Sequence, residues 1–561
     1  MMLRQSLRVG HVTTTCGRPH LLPRSLGVAT SWGKAFDYII VGAGSAGCVL
    51  ANRLSADATT SVLLVEAGSS DRHRWDSMLI QMPAAVPLNL SDERYNWKFI
   101  TEPQTFLNHR RMKIHGGRVL GGTSSINAMI YCRGHAKDYD EWQANGAEGW
   151  SYADCLPYFK RAQTHELGED DYRGSDGPLH VVRNTQKDQP LFQAFLDAAM
   201  EAGYPFTSDL NGYQQEGVGW HDFTINKGSR CSTSAAYLHP VMDRKNLTVV
   251  TDTQVNKVIF EGKKAVGIEV EHNKTKKVSV LASTKEVILS GGAFNSPRLL
   301  LLSGVGDAAH LKEVGVPLVH HLPAVGKNMN DHVFVNLQFA CQQPITLYNL
   351  SKRYPHKILK AGAADKEPDL QIIFAPCTTD MNSQFREDVG HAMTGLVSLL
   401  RGHKNGTLML RSANPRERPI IDPKYMADEE NWITLRQGVK LVRKIFAQNA
   451  FKDYCGRGIS PSDEVQTDQE IDAWIRKYVS SGYHMTSTAR MGVDDNSVVD
   501  LQTRVHGLES LRVVDASIMP NVVRGNTNAA VIMIAEKAAD MILGKPALPK
   551  LHVPQYEPSD W

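Results

Sequence analysis

From Asp37 to Gly68 the chain reads DYIIVGAGSAGCVLANRLSADATTSVLLVEAG, a pattern that few folds accommodate. Tyr38 to Val41 is an apolar, β-branched run that stops at glycine, so it reads as a buried strand. Gly42, Gly44 and Gly47 follow at G-x-G-x-x-G spacing. The first permits a tight turn, the second lets the backbone approach a pyrophosphate, and the third lets the next helix pack closely on the strand. Ser45 to Ser55 reads as that helix, with Ala46, Val49, Leu50 and Leu54 apolar, and Ser61 to Val65 as a second buried strand ending in Glu66. A phosphate at such a turn meets free N–H groups and the positive end of a helix, while an acidic residue about twenty positions on accepts ribose hydroxyls. Gly42, Gly44, Ser45, Gly47 and Glu66 are therefore candidate contacts to a dinucleotide. Glu66 would repel a 2′-phosphate, which disfavours NADP and leaves NAD and FAD open.

The chain has 561 residues, too many for one core, so two or more domains are expected. A net charge of +3 with no basic clusters interleaved with aromatics gives no reason to expect nucleic acid. No apolar run reaches the roughly eighteen residues of a membrane-spanning helix. The eight cysteines are scattered singly, with no CxxC and no metal-ligand spacing, and read as reduced thiols. Residues 1–36 differ in kind. Arg4, Arg8, Arg18, Arg24 and Lys34 occur with no acidic residue before Asp37, and Leu3 and Leu7 lie one helical turn apart. This is the pattern of a mitochondrial transit peptide.

A second glycine-rich stretch, GGRVLGGTSSIN from Gly116 to Asn127, has a backbone able to lie flat against a ligand. Its residues resemble the first signature of the glucose–methanol–choline family of FAD-dependent oxidoreductases. GGAFNSP from Gly291 resembles the second, and SGYHMTSTARMG with LRVVDASIMPNVVRGNTNAAVIMIAEKAADMI resembles the family's C-terminal end. The resemblance runs from Asp37 to Gly544. Within the family, GHAKDYDEW, NGYQQEGVGW and VVDASIMP are most similar to mitochondrial members that oxidise choline. The resemblance implies FAD as cofactor, choline as substrate, and a quinone or other carrier as electron acceptor. It also implies mitochondrial residence, compatible with peripheral contact to the inner membrane.

The implied fold is α/β: a Rossmann-like FAD-binding domain with a second α+β substrate domain containing an antiparallel sheet. The expected divisions are 37–333 for FAD, with a small β-meander inserted over 247–289, 334–477 for substrate, 478–544 for a catalytic segment returning to the FAD domain, and a 545–561 tail. Strand character is read at Gly406 to Arg411, and helices at Trp432 to Gln448 and Asp468 to Tyr478.

Oxidising an alcohol needs a base that is neutral near pH 7, which suits histidine. Among twenty-one histidines, His484 is selected because YHMTSTARMG matches the family's catalytic-histidine segment. Its implied partner is Asn526, whose amide would donate to the substrate oxygen. For Asn526 and Asn528 the competing reading is capping of the helix that follows. By resemblance Gly121, Gly122, Asn127, Asp515, Ala516 and Asn528 border the flavin, Asp515 and Ala516 through backbone.

Four departures from the family pattern stand out. Ile126 occupies the position where some members attach FAD to histidine, so non-covalent FAD is expected. Met485 replaces a usual proline. Phe334 stands where choline-oxidising members carry a carboxylate facing the trimethylammonium group; an aromatic face still attracts that cation, as does Tyr483. The stretch from Ile345 to Pro368 is shorter than in the nearest relatives. Phe334 and this shortening leave oxidation of a different primary alcohol, or a pocket-altered chain with little turnover, as alternatives.

Overall fold

The computed structural model describes residues 35–72, 77–183, 188–348, 361–364, 369–378, 388–402 and 405–556. The basic stretch before residue 35 and most of the shortened stretch, 349–360 and 365–368, lie outside the described residues.

Strand β1 (Ala35–Val41), helix α1 (Ser45–Leu54) and strand β2 (Val62–Val65) form the unit read from the glycine spacing. The strands run parallel, Tyr38 opposite Val62 and Val41 opposite Val65. All four residues of β2 are buried, as expected of a parallel strand covered on both faces. The sheet is completed by β3 (Leu247–Val250), β4 (Thr253–Glu261), β5 (Lys264–His272) and β6 (Val278–Leu289), in the order β3-β2-β1-β6-β5-β4. The short strand Leu511–Val513 lies parallel beside β6.

Here the fold corrects the expected inserted meander. Leu247–Val250 does not belong to it: this strand pairs parallel with β2 at the sheet edge. The two short runs at KVSVL and EVILS are one twelve-residue strand, β6, whose start pairs antiparallel with β5 and whose end pairs parallel with β1. Because β6 passes without a break from one pairing to the other, the meander and the parallel sheet are a single surface.

A second, antiparallel sheet holds β7 (Val333–Cys341), β8 (Ala361–Ala364), β9 (Leu370–Ala375), β10 (Ala392–Leu399) and β11 (Cys455–Ser460), in the order β11-β7-β10-β9-β8. Its outer edge is Gly217–Trp220, paired with β8, and Ser480–Ser481 pairs with β7. Helix Pro190–Glu201 packs on this layer: Phe195 stacks on Phe374 with ring centroids 5.0 Å apart. The substrate-side layer thus draws residues 190–220 from the expected FAD half, because their apolar faces match this core and not the parallel sheet.

The helices fall close to the sequence reading. Glu429–Phe446 and Asp468–Tyr478 cover the antiparallel sheet, the latter opened by a Thr467–Glu470 capping box. Strand character at 406–411 is confined to Thr407–Met409. The last long helix, α2 (Asn528–Ile542), is nearly all buried, lies against α1 and ends before Gly544 at φ +63°.

Candidate active site

The first glycine turn is as crowded as its spacing demands. At Gly47 an added Cβ would lie 1.9 Å from the Gly42 carbonyl oxygen, so α1 can approach β1 this closely only without a side chain. Gly42 sits at φ +100°, a conformation that L side chains rarely adopt. Gly44 differs: the nearest protein atom to its Cβ position is 3.9 Å away, and it borders a cavity of about 470 Å³. Gly122 packs directly on it, a Cβ there lying 2.7 Å from the Gly44 Cα. Contact between the two glycine-rich stretches, one from each motif, forms one wall of the cavity.

Glu66 borders the same cavity. Its carboxylate accepts the Ala43 N–H at 2.9 Å and the Gly68 N–H at 2.8 Å, and burial pushes its pKa up to about 6. Each oxygen retains lone-pair capacity for a ribose hydroxyl. Asn127 is held by its Oδ1, which accepts from Met129 N–H and from Arg230. Gly121, at φ +85°, opens the short turn before it.

The start of α2 settles the capping alternative. The cap position is Thr527, which makes no side-chain cap bond, so neither Asn526 nor Asn528 caps the helix. Asn528 Oδ1 instead accepts from the Ser45 hydroxyl at 2.7 Å, tying the start of α2 to the start of α1. Both helix starts are uncapped by side chains and both border the cavity, so their N–H groups favour negative charge there. The Asp515 carboxylate is fully used by the protein. It accepts from Gly292 N–H, the Ser296 hydroxyl, and both the N–H and hydroxyl of Ser517. Only backbone remains at Asp515 and Ala516 to meet a ligand.

His484 is carried by a constrained loop. The preceding Tyr483 has φ +62°, and the His484 N–H donates to Asp331 Oδ1 at 2.8 Å. Asp331 Oδ2 accepts from the Tyr425 hydroxyl at 2.5 Å and the Ser481 hydroxyl at 2.6 Å. The His484 ring lies between two partners: Asn526 Nδ2 is 3.1 Å from its Nε2, and His332 Nδ1 is 2.9 Å from its Nδ1. With Asn526 donating, Nε2 is the unprotonated nitrogen, and the His484 Nδ1–H donates to His332. Burial lowers the pKa of His484 to about 4, and burial together with the neighbouring His484 holds His332 well below the ordinary histidine range. Both rings are therefore neutral at physiological pH, and the unprotonated His484 Nε2 accepts from the Asn526 amide beside the cavity. Phe334 and Tyr483 meet edge to face with centroids 6.4 Å apart and border the cavity.

Sequence reasoning missed Asp331 and His332 as working residues. The adjacent Asp-His pair was a visible signal, but its partner lies 152 residues away in the chain, and only packing brings the two together.

The GMC oxidoreductase family models match residues 36–334 and 402–535.

The chain belongs to the GMC oxidoreductase family.

Among curated GMC relatives it is 48% identical to the mitochondrial choline dehydrogenase of Mus musculus, over 96% of this chain and 94% of that one. It is 44% identical to the oxygen-dependent choline dehydrogenase of Escherichia coli O6:K15:H31, over 92% and 97%. The crystal structure of pyridoxine 4-oxidase from Mesorbium loti superposes with a TM-score of 0.85 at 29% identity, covering 91% of this chain and all of that one.

The cavity fits FAD on its own geometry. Two uncapped helix starts, an open Gly44 and a Glu66 carboxylate facing inward form a cradle for a diphosphate and a ribose. Ile126 is buried with Ile80, Tyr95 and Val119, leaving no nucleophile at that position.

Proposed function

We propose that this protein oxidises choline to betaine aldehyde with non-covalently bound FAD as its cofactor. The reading is supported by likeness to choline dehydrogenases over nearly the whole chain and by one observation above others: an unprotonated His484 Nε2 faced by the Asn526 amide at 3.1 Å on the cavity wall. Gly42, Gly44, Ser45 and Glu66 hold the adenosine diphosphate part, with Gly47 acting from behind by letting α1 close on the turn; Gly122, Asn127, Asn528 and the backbone of Asp515 and Ala516 hold the flavin part, with Gly121 shaping the turn before Gly122. FAD supplies the acceptor for the hydride that leaves the alcohol carbon. His484 Nε2 takes the hydroxyl proton. Asn526 donates to the oxygen as negative charge develops on it. His332 receives the His484 Nδ1–H bond and so fixes which nitrogen is the base. Phe334 and Tyr483 attract the trimethylammonium group through their ring faces.

Electrons then pass to a quinone or similar carrier. Mitochondrial residence is supported by the mammalian relatives, which are named mitochondrial, and by the acid-free basic stretch over 1–36. No helix among the described residues is long and apolar enough to cross a membrane, and peripheral contact with the inner membrane is part of the proposal. Anaerobic mixing of the purified holoenzyme with choline tests the substrate: the flavin absorbance near its visible maximum bleaches. An unchanged spectrum with choline, alongside bleaching by another alcohol, overturns the assignment.

A further inference from the structure

Beside Tyr483 the cavity carries a polar group that choline oxidation does not use. His115 borders the cavity and packs on the Tyr483 ring, centroids 5.1 Å apart, while Phe334 packs against the same tyrosine. The three rings form a row next to His484. The orientation of the His115 hydrogens follows from its neighbour Asn96, which is buried. Asn96 Oδ1 accepts the Lys98 N–H at 2.8 Å and the Gly116 N–H at 3.2 Å, so its nitrogen must be Nδ2. That nitrogen donates to the Leu90 carbonyl at 3.0 Å and to His115 Nδ1 at 2.9 Å. His115 Nδ1 is therefore an acceptor, and the proton sits on Nε2. Among the described residues no hydrogen-bond acceptor engages that N–H. Burial and the nearby Lys98 and Lys113 lower the pKa of His115 to about 4, so it stays neutral and does not repel a cationic substrate.

We propose that His115 is a specificity-determining residue whose Nε2–H donates to a second oxygen on the substrate, so that the enzyme takes primary alcohols bearing an ether or second hydroxyl oxygen as well as choline. This rests on the reading of the cavity as an alcohol site with His484 as base. Choline carries one oxygen, which is consumed at His484, and gives His115 nothing to bind. A 2-alkoxyethanol or short diol presents an acceptor at the far end, where Phe334 in place of a carboxylate leaves the wall uncharged. The oxidation is unchanged: the primary carbon loses hydride and its hydroxyl loses a proton, and the second oxygen only accepts a hydrogen bond.

The test compares kcat/KM of flavin reduction for choline, 1-butanol and 2-methoxyethanol in the holoenzyme, in His115→Phe and in His115→Gln. Butanol and methoxyethanol have the same number of heavy atoms and differ at one ether oxygen. In the native enzyme methoxyethanol is favoured roughly two- to tenfold, the size of one net hydrogen bond. The ratio falls to about one in His115→Phe, which keeps a ring against Tyr483, and recovers in His115→Gln, which restores an N–H; choline changes less than about threefold throughout. With choline still oxidised, a native ratio of one or below, or a ratio unmoved by His115→Phe, overturns the inference. A shifted oxidised-flavin spectrum in His115→Phe with an unmoved ratio assigns the N–H to the cofactor and also overturns it. If choline fails but the His115-dependent ratio persists, the choline reading falls and this one stands; if no alcohol reduces the flavin, both fall.

Discussion

His484 lies on the cavity wall with both ring nitrogens engaged, and its protonation sets how the site responds to pH. Only the neutral ring can accept a proton, and burial has moved its pKa from 6.5 to about 4. A lowered histidine pKa means the active form is complete above it and is lost as pH falls through about 4. The kcat/KM profile for flavin reduction is therefore flat through the ordinary histidine range, with its acid limb near pH 4; a break near pH 6.5 would show that His484 is more solvated than the fold implies. His484→Ala lowers the reduction rate by about 10²–10⁴-fold while flavin content is kept, read by stopped-flow absorbance. Asp331 acts one step back. Tyr425, which does not border the cavity, gives it one of its donors. Tyr425→Phe removes that bond at a cost of about 1 kcal/mol and slows reduction a few-fold at unchanged FAD content. A rate identical to the native enzyme would mean the loop holds its shape without it.

At the scale of elements, two packings decide whether the site exists. The first is α1 against β1. A methyl at Gly47 would overlap the Gly42 carbonyl oxygen, and backbone cannot yield as a flexible side chain can. Gly47→Ala is expected to displace the helix start and yield protein depleted in flavin, read from the ratio of visible to ultraviolet absorbance. The second packing joins α1 to α2. Arg53 pairs with Glu536 and, at 2.7 Å, with Asp540, and Arg161 pairs with the same two carboxylates. Glu536 and Asp540 are 2% and 4% exposed at their side chains, so they are carboxylates that need their cations. Arg53→Met leaves each with a single partner and destabilises by about 3–5 kcal/mol, seen as a lower thermal midpoint. Because Ser45 and Asn528 bridge the starts of the same two helices, that variant should also loosen FAD.

For the whole molecule, the two sheets meet across the cavity, and a ligand there touches both. FAD binds the folded chain and not the unfolded one, so the thermal midpoint climbs with added FAD, by the equivalent of about 2.7 kcal/mol at a hundredfold excess over Kd. A midpoint indifferent to FAD would deny the cavity its cofactor.

What could be read from the residues alone follows short-range physics. Glycine spacing, a β-branched run and an acidic residue at a set distance specify the strand, turn, helix and strand from Ala35 to Glu66, because sterics and periodicity act within a few residues. Family signatures pointed to His484 and Asn526, and the structure brings the two side chains together. Long-range packing decided the rest. Whether Leu247–Val250 joined a meander or the parallel sheet depended on an open edge at β2. That His484 leans on His332 and hangs from Asp331, and that Asn96 decides which His115 nitrogen carries the proton, are facts about side chains brought within 3 Å of each other. A hydrogen bond has no period and leaves no spacing in the chain, so which groups share one is decided only when the sheets close on each other.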